Sequence, residues 1–176
     1  MNLSQILSDN GIDIENWSHD RGTKSVTDLQ TEIEAGEANL ETIDGILTRV
    51  VKVASVSVNV RLGEKLFLVV EDRQIFFTGA IRERQRKSLS EKLYANETPI
   101  SAARRVLKEE ICLDYLGELI SIGEEVQQQN SPSYPGLNSI YQIFNYQILL
   151  TAADLKALRF AEVQADKISL FTLEQI

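Results

Sequence analysis

Glu109 and Glu110 are adjacent carboxylates in the segment Glu97 to Leu113, ETPISAARRVLKEEICL, which reads as a short helix begun by a proline. At about 100° per residue, Ile100, Ala103, Leu107 and Ile111 form one apolar stripe, and Ala102, Val106, Glu109 and Glu110 lie on its flank. Arg105 stands four residues before Glu109, within reach for an ion pair along the helix. Two neighbouring carboxylates beside a buried stripe repel each other unless positive charge stands between them. Mg²⁺ or Mn²⁺ meets that need, because hard cations take oxygen ligands. The metal ligands expected here are Glu109 and Glu110.

The net charge of the 176-residue chain is −8, which argues against a general nucleic-acid binder. The charge is uneven. Ala80 to Lys108 holds eight basic residues against three acidic ones, so a basic island surrounds the carboxylate pair. Arg84 and Arg86 in that island are candidates to hold the phosphates of a phosphorylated ligand, although alternating charges also suit a solvated loop. A single cysteine excludes an internal disulfide and suits a reducing, cytoplasmic setting. One histidine and no paired Cys and His leave no zinc site. No apolar run approaches the ~20 residues of a membrane span, and the N-terminus has no signal-peptide pattern.

These groups need elements to hold them. Residues 1–42 read as an N-terminal helical extension. Leu3, Ile6 and Leu7 make a short helix stopped at Asn10 and Gly11. Ser25 and Asp28 make a capping box for a second helix, in which Val26, Leu29 and Ile33 form a stripe. That stripe is expected to be buried, against the body of the protein, a protein partner or a second copy. From Ile46 the period changes to two, over a long β-branched strand to Leu62. Gly63 and Glu64 mark a turn, and Lys65 to Val70 a second strand. Glu71 to Gln74 reads as another turn, and Ile75 to Thr78 as a third strand. A basic loop then leads to the helix. Glu118 to Val126, Ile140 to Leu150 and Lys167 to Phe171 are further strands, and Ala152 to Leu158 is a helical turn. The loop SPSYPGLNS presents Tyr134 either to stack on a planar ligand or to peg the loop down.

The spacing from Glu91 to Leu113 resembles the Nudix box, G-x5-E-x7-R-E-U-x-E-E-x-G-U, with U a bulky apolar residue. Glu97 takes the first Glu position, Arg105 the Arg, Leu107 the first U, Glu109 and Glu110 the Glu pair, and Leu113 the last U. Glu91, Val106 and Cys112 depart from it, standing where the family has Gly, Glu and Gly. The resemblance implies an α/β/α sandwich with a mixed sheet over residues 43–176, carrying the N-terminal extension. It implies metal-dependent hydrolysis of a nucleoside diphosphate linked to another moiety, in which the Glu pair holds the cations and Arg105 orients a carboxylate. The alternative is a domain of the same fold that binds a phosphorylated ligand or a protein without turnover.

Glu97 is expected to close the loop at the helix start. Val106 can neither bind metal nor take a proton, so the base is expected at Glu124 or Glu125, with Glu125 the candidate. Restoring a Glu at 106 is expected to raise hydrolysis. Cys112 is read as a small buried residue, since no histidine is near it in sequence.

Overall fold

The computed structural model describes residues 2–176. Its helices are α1 (Leu3–Asp9), α2 (Val26–Glu34) and α3 (Pro99–Ile111). Its strands are β1 (Asn39–Ile43), β2 (Ile46–Leu62), β3 (Lys65–Phe76), β4 (Ile81–Arg86), β5 (Leu89–Lys92), β6 (Ile120–Asn130), β7 (Asn138–Thr151), β8 (Ala161–Val163) and β9 (Lys167–Gln175). The fold is α/β, with a nine-stranded sheet in the order β6-β7-β2-β3-β9-β8; β1 and β5 pair with β2, and β4 with β3. Among the described residues no helix is long and apolar enough to cross a membrane.

The chain forms two compact units. The first comprises the residues up to Val53, Lys92–Glu97 and Glu124–Ile143; the second comprises Ala54–Glu91, Thr98–Gly123 and Phe144–Ile176. In the first unit, Asn2 caps α1 by accepting from Ser4 N at 3.1 Å. Ser25 and Asp28 form the reciprocal capping box of α2. Leu3, Leu7, Ile12, Trp17, Leu29, Leu47, Tyr134 and Leu137 are buried together, with Val26 and Ile33 packed against them. The stripe of α2 is therefore covered inside its own unit, and Leu3, Leu7, Ile12, Trp17 and Leu29 contribute to that unit's core.

The expected boundary after residue 42 cuts through a hairpin. β1 pairs antiparallel with β2 up to Ile43 opposite Ile46. The two residues between them, Asp44 and Gly45, have φ of 51° and 80°. Such a turn matches the right-handed twist of both strands. The hairpin ties the chain before residue 42 to the long strand.

In the second unit the turn expected at Glu71–Gln74 is a β-bulge inside a continuous β3. Its pairing with β4 and with β9 shifts register between Glu71 and Arg73. The polar run imitates a turn, but Glu71 and Gln74 are buried, and Gln74 Nε2 donates to Glu71 Oε1 at 2.8 Å. The basic segment read as a loop is β4 and β5. The strand expected at Lys167–Phe171 continues through residues 172–175 as β9. The helical turn expected at Ala152–Leu158 is a short 3-10 turn over Asp154–Ala157.

Candidate active site

α3 begins as its sequence predicts. Thr98 Oγ1 accepts from Ser101 N at 3.3 Å, and Pro99 takes the first helical position. The buried face comprises Ala102, Ala103, Val106, Leu107 and Ile111, while Ile100 is exposed. The apolar stripe is therefore rotated from the expected one. Val106 is a fully buried core residue, not a member of a polar flank.

The rotation separates the two carboxylates of the pair. Glu109 faces solvent, with 47% of its side chain exposed, and its Oε2 accepts from Arg105 Nη1 at 3.0 Å. Glu110 turns inward, and its Oε1 accepts from the backbone N of Ser90 at 3.2 Å. Burial pushes the Glu110 carboxyl up to about 8, and the nearby charges of Glu91, Glu162 and Glu71 push in the same direction. Glu71 Oε2 accepts from Arg84 Nε at 3.2 Å. The Arg86 guanidinium lies among the same groups. Arg86 keeps an exposed surface on β4; partial loss of solvent around its guanidinium and the charge of Arg84 lower its proton affinity, against the favourable charges of Glu71, Glu110 and Glu91.

The second unit thus brings Glu71, Glu91, Glu110, Glu162, Arg84 and Arg86 into one electrostatic cluster. Of these, Glu110, Arg84 and Arg86 are sequence candidates. Glu71 was hidden by its reading as a turn. Glu91 was hidden because it stands where the motif has a glycine; that departure adds a carboxylate beside Glu110. Glu162 lies on β8, a three-residue strand with no periodic signal.

The donor set is hard oxygen with an excess of negative charge at Glu110, which is chemistry suited to Mg²⁺ or Mn²⁺. Among the described residues no three acidic groups converge tightly enough to hold a metal ion as they stand. Glu109, engaged by Arg105, is turned away from the cluster.

The remaining candidates lie elsewhere. Glu97 Oε2 accepts from Tyr94 N at 3.0 Å, closing the loop before α3. In the first unit that loop is held by the end of α2. Ala95 N donates to Ala35 O at 3.2 Å. Gly36, at φ +72°, comes so close that a Cβ there would lie 2.4 Å from Ala95 Cβ.

Tyr134 is fully buried. Its ring lies 5.1 Å from that of Trp17, and the Arg49 guanidinium carbon stands 5.3 Å from its centroid. A ring covered on all sides has no face to stack on a ligand, so Tyr134 is the peg of its loop. Glu124 and Glu125 sit on β6, all of whose residues are exposed, and Glu125 Oε1 accepts from Gln127 Nε2. Cys112 is exposed rather than buried. It caps α3 at φ 58°, the left-handed conformation that a glycine adopts more readily.

No family model matches the chain, and no curated protein matches it. Solved structures of Nudix domains do. One is the NUDIX domain of Shewanella oneidensis NrtR complexed with ADP ribose, at 9% identity, covering 69% of this chain and 70% of that one, with a TM-score of 0.47. Another is a binary complex of a C. elegans Ap4A hydrolase, at 16% identity, 68% and 79% coverage and a TM-score of 0.40. A third is a mutT/nudix family protein from Listeria innocua, at 18% identity, 56% and 64% coverage and a TM-score of 0.38. The chain is similar to these structures in fold.

Proposed function

We propose that this chain is a Nudix-type pyrophosphohydrolase of modest rate, acting on a nucleoside diphosphate linked to another moiety, with its divalent-cation site at Glu110. One observation carries the reading: Glu110, at the motif position of a metal ligand, lies half-buried among Glu71, Glu91 and Glu162 with its carboxyl pushed up to about 8. Groups so opposed are relieved by a cation. When bound there, Mg²⁺ or Mn²⁺ neutralises phosphate charge and acidifies a water molecule.

The chain's own groups do the rest. Arg84 and Arg86 add positive charge for phosphate oxygens, since a guanidinium matches phosphate geometry. Glu110 would hold the cation as its carboxylate. Glu91 takes the role of general base, with Glu125 the alternative from the sequence, and Glu91→Gln and Glu125→Gln distinguish them. Glu97 holds the entry to α3. Arg105 and Glu109 neutralise each other on the helix surface and position rather than react.

A second reading, binding of a phosphorylated ligand without turnover, is favoured by Val106 and by the diversion of Glu109 into its pair with Arg105. The deciding assay is Mg²⁺-dependent hydrolysis of ADP-ribose as probe. Slow turnover lost in Glu110→Gln supports the first reading. Binding with no product above blank supports the second.

A further inference from the structure

We propose that the outer edge of β6 is a self-association site. It is taken by β6 of a second copy of this chain, paired antiparallel across a two-fold axis at Val126. β6 ends the strand order, with β7 on one side. All eleven of its residues are exposed. Its apolar Val126 is 68% exposed, a large apolar side chain left to water in the middle of a strand.

Sheet edges are ordinarily blunted by lysine, by proline or by shortness, because their unpaired N–H and C=O groups template another strand. β6 carries neither Lys nor Arg nor Pro, and its only charges are Glu124 and Glu125. Gly123, at φ +122°, breaks the regular backbone just before them, so the segment paired about an axis at Val126 is Glu124–Gln128, within the open stretch Glu124–Asn130.

The order of residues in that segment selects a second copy as the occupant. Acidic residues come first, EE, and amides follow, QQQN, with Val126 between them. An antiparallel partner with its axis at Val126 sets Glu125 opposite Gln127, Glu124 opposite Gln128, and Val126 opposite itself. Each carboxylate faces an amide that donates, and the exposed valines cover each other. Within one chain, Gln127 Nε2 already donates to Glu125 Oε1, so the amide and carboxylate chemistry is in place.

Neighbouring registers are worse. An axis at Glu125 sets that carboxylate against its own copy, and like charges directly opposed are destabilising. An axis at Gln127 also sets Glu125 and Glu124 against amides, Gln129 and Asn130, but it leaves each exposed Val126 against Gln128 instead of against its own copy. A segment whose two halves complement each other in reverse is what an isologous interface requires. The pairing also uses up the edge, so the assembly closes at two copies. Because each copy carries a net charge of −8, added salt should strengthen the association by screening.

The test is sedimentation equilibrium over a concentration series on three chains: wild type, Gln127→Glu/Gln128→Glu and Gln127→Lys/Gln128→Lys. Both positions are exposed, so folding is spared, and circular dichroism checks it. Wild type should dimerise. The Glu pair should weaken the dimer, and the Lys pair should tighten it, each by at least about tenfold in Kd. A second readout is mild oxidation of Cys112→Gly/Val126→Cys, in which the exposed native thiol is removed and a covalent dimer is expected. A wild type that stays monomeric overturns the proposal. So does a dimer indifferent to both charge variants and uncrosslinked through position 126.

Discussion

Glu32 near the end of α2 and Glu110 near the end of α3 are the same side chain in similar places, one in each compact unit, and their carboxyls are driven in opposite directions. Burial raises both. At Glu32, hydrogen bonds from Lys24, Lys92 and Arg49 overcome that penalty and hold the carboxyl down to about 2. Lys24 Nζ stands 2.7 Å and Lys92 Nζ 2.8 Å from Oε1, and Arg49 donates to Oε2 through Nε at 3.2 Å and Nη2 at 2.5 Å. Glu37 shares Lys92 at 3.2 Å, and Tyr141 takes the other Arg49 nitrogen at 3.2 Å. At Glu110 burial and the carboxylates of Glu91, Glu162 and Glu71 outweigh the backbone hydrogen bond from Ser90, and the carboxyl rises to about 8. One glutamate is the satisfied centre of a structural network. The other sits in a field that only a proton or a cation relieves. Burial alone does not mark a functional carboxylate; the sign of the surrounding charge does.

The largest expected effect breaks the satisfied side. Glu32→Gln leaves Arg49 and two lysines without their shared carboxylate. Urea denaturation at pH 7 should show a loss of about 3–5 kcal/mol, as for a buried pair stripped of one partner. A loss below about 1 kcal/mol would show the network to be a surface-like one.

Val106→Glu comes next. The sequence alone suggests that a third carboxylate here would speed hydrolysis, but Val106 is fully buried. The substitution should lower stability by about 2–4 kcal/mol, since it buries a charge on the helix that already carries Glu110. A folded, equally stable variant would return position 106 to the polar flank.

The third effect is smaller and changes with pH. Glu110 holds its proton in the folded state up to about pH 8, whereas in the unfolded chain it loses it near the ordinary glutamate value of 4.5. The folded state therefore binds more protons between those values. Its stability should fall as pH rises from about 4.5 to about 8, with no cost below that window and the full cost above it. Glu32 has the opposite sign, and its contribution is lost as pH falls from about 4.5 towards 2. In metal-free buffer Glu110→Gln should therefore be more stable than wild type at pH 8 by roughly 1–3 kcal/mol, and equal to it at pH 5. Equal stability at both pH values would remove the asymmetry between the two glutamates.

Much of this was legible in the sequence where the signal is local. The Ser25–Asp28 box, the stop at Asn10, the Pro99 start and the long period-two run of β2 are patterns of a few neighbouring residues, and all form as read. The α/β class follows from their order. Long-range contacts were not legible. Glu71 and Gln74 read as a turn because their burial depends on β4 and β9. Tyr134 and Arg49 meet across 85 residues of chain, and no periodicity announces that. The Asp44-Gly45 turn is a local signal that lies just past the boundary expected after residue 42.

In the cluster, the motif spacing points to Glu110, and the basic island points to Arg84 and Arg86. The division of labour between Glu109 and Glu110 depends on which way α3 is rolled. That roll is set by Ala102 and Val106 packing inward, and two small apolar residues on a short helix do not settle it in advance.

Glu110, and not Glu109, is proposed to hold a divalent cation in place of its proton. Calorimetric titration of Mn²⁺ at pH 7, repeated in buffers of different ionisation enthalpy, measures both the binding and the protons released. One site is expected in wild type with release of close to one proton, the site kept in Glu109→Gln and lost in Glu110→Gln. Wild type and Glu110→Gln titrating alike, or binding with no proton release, would contradict it.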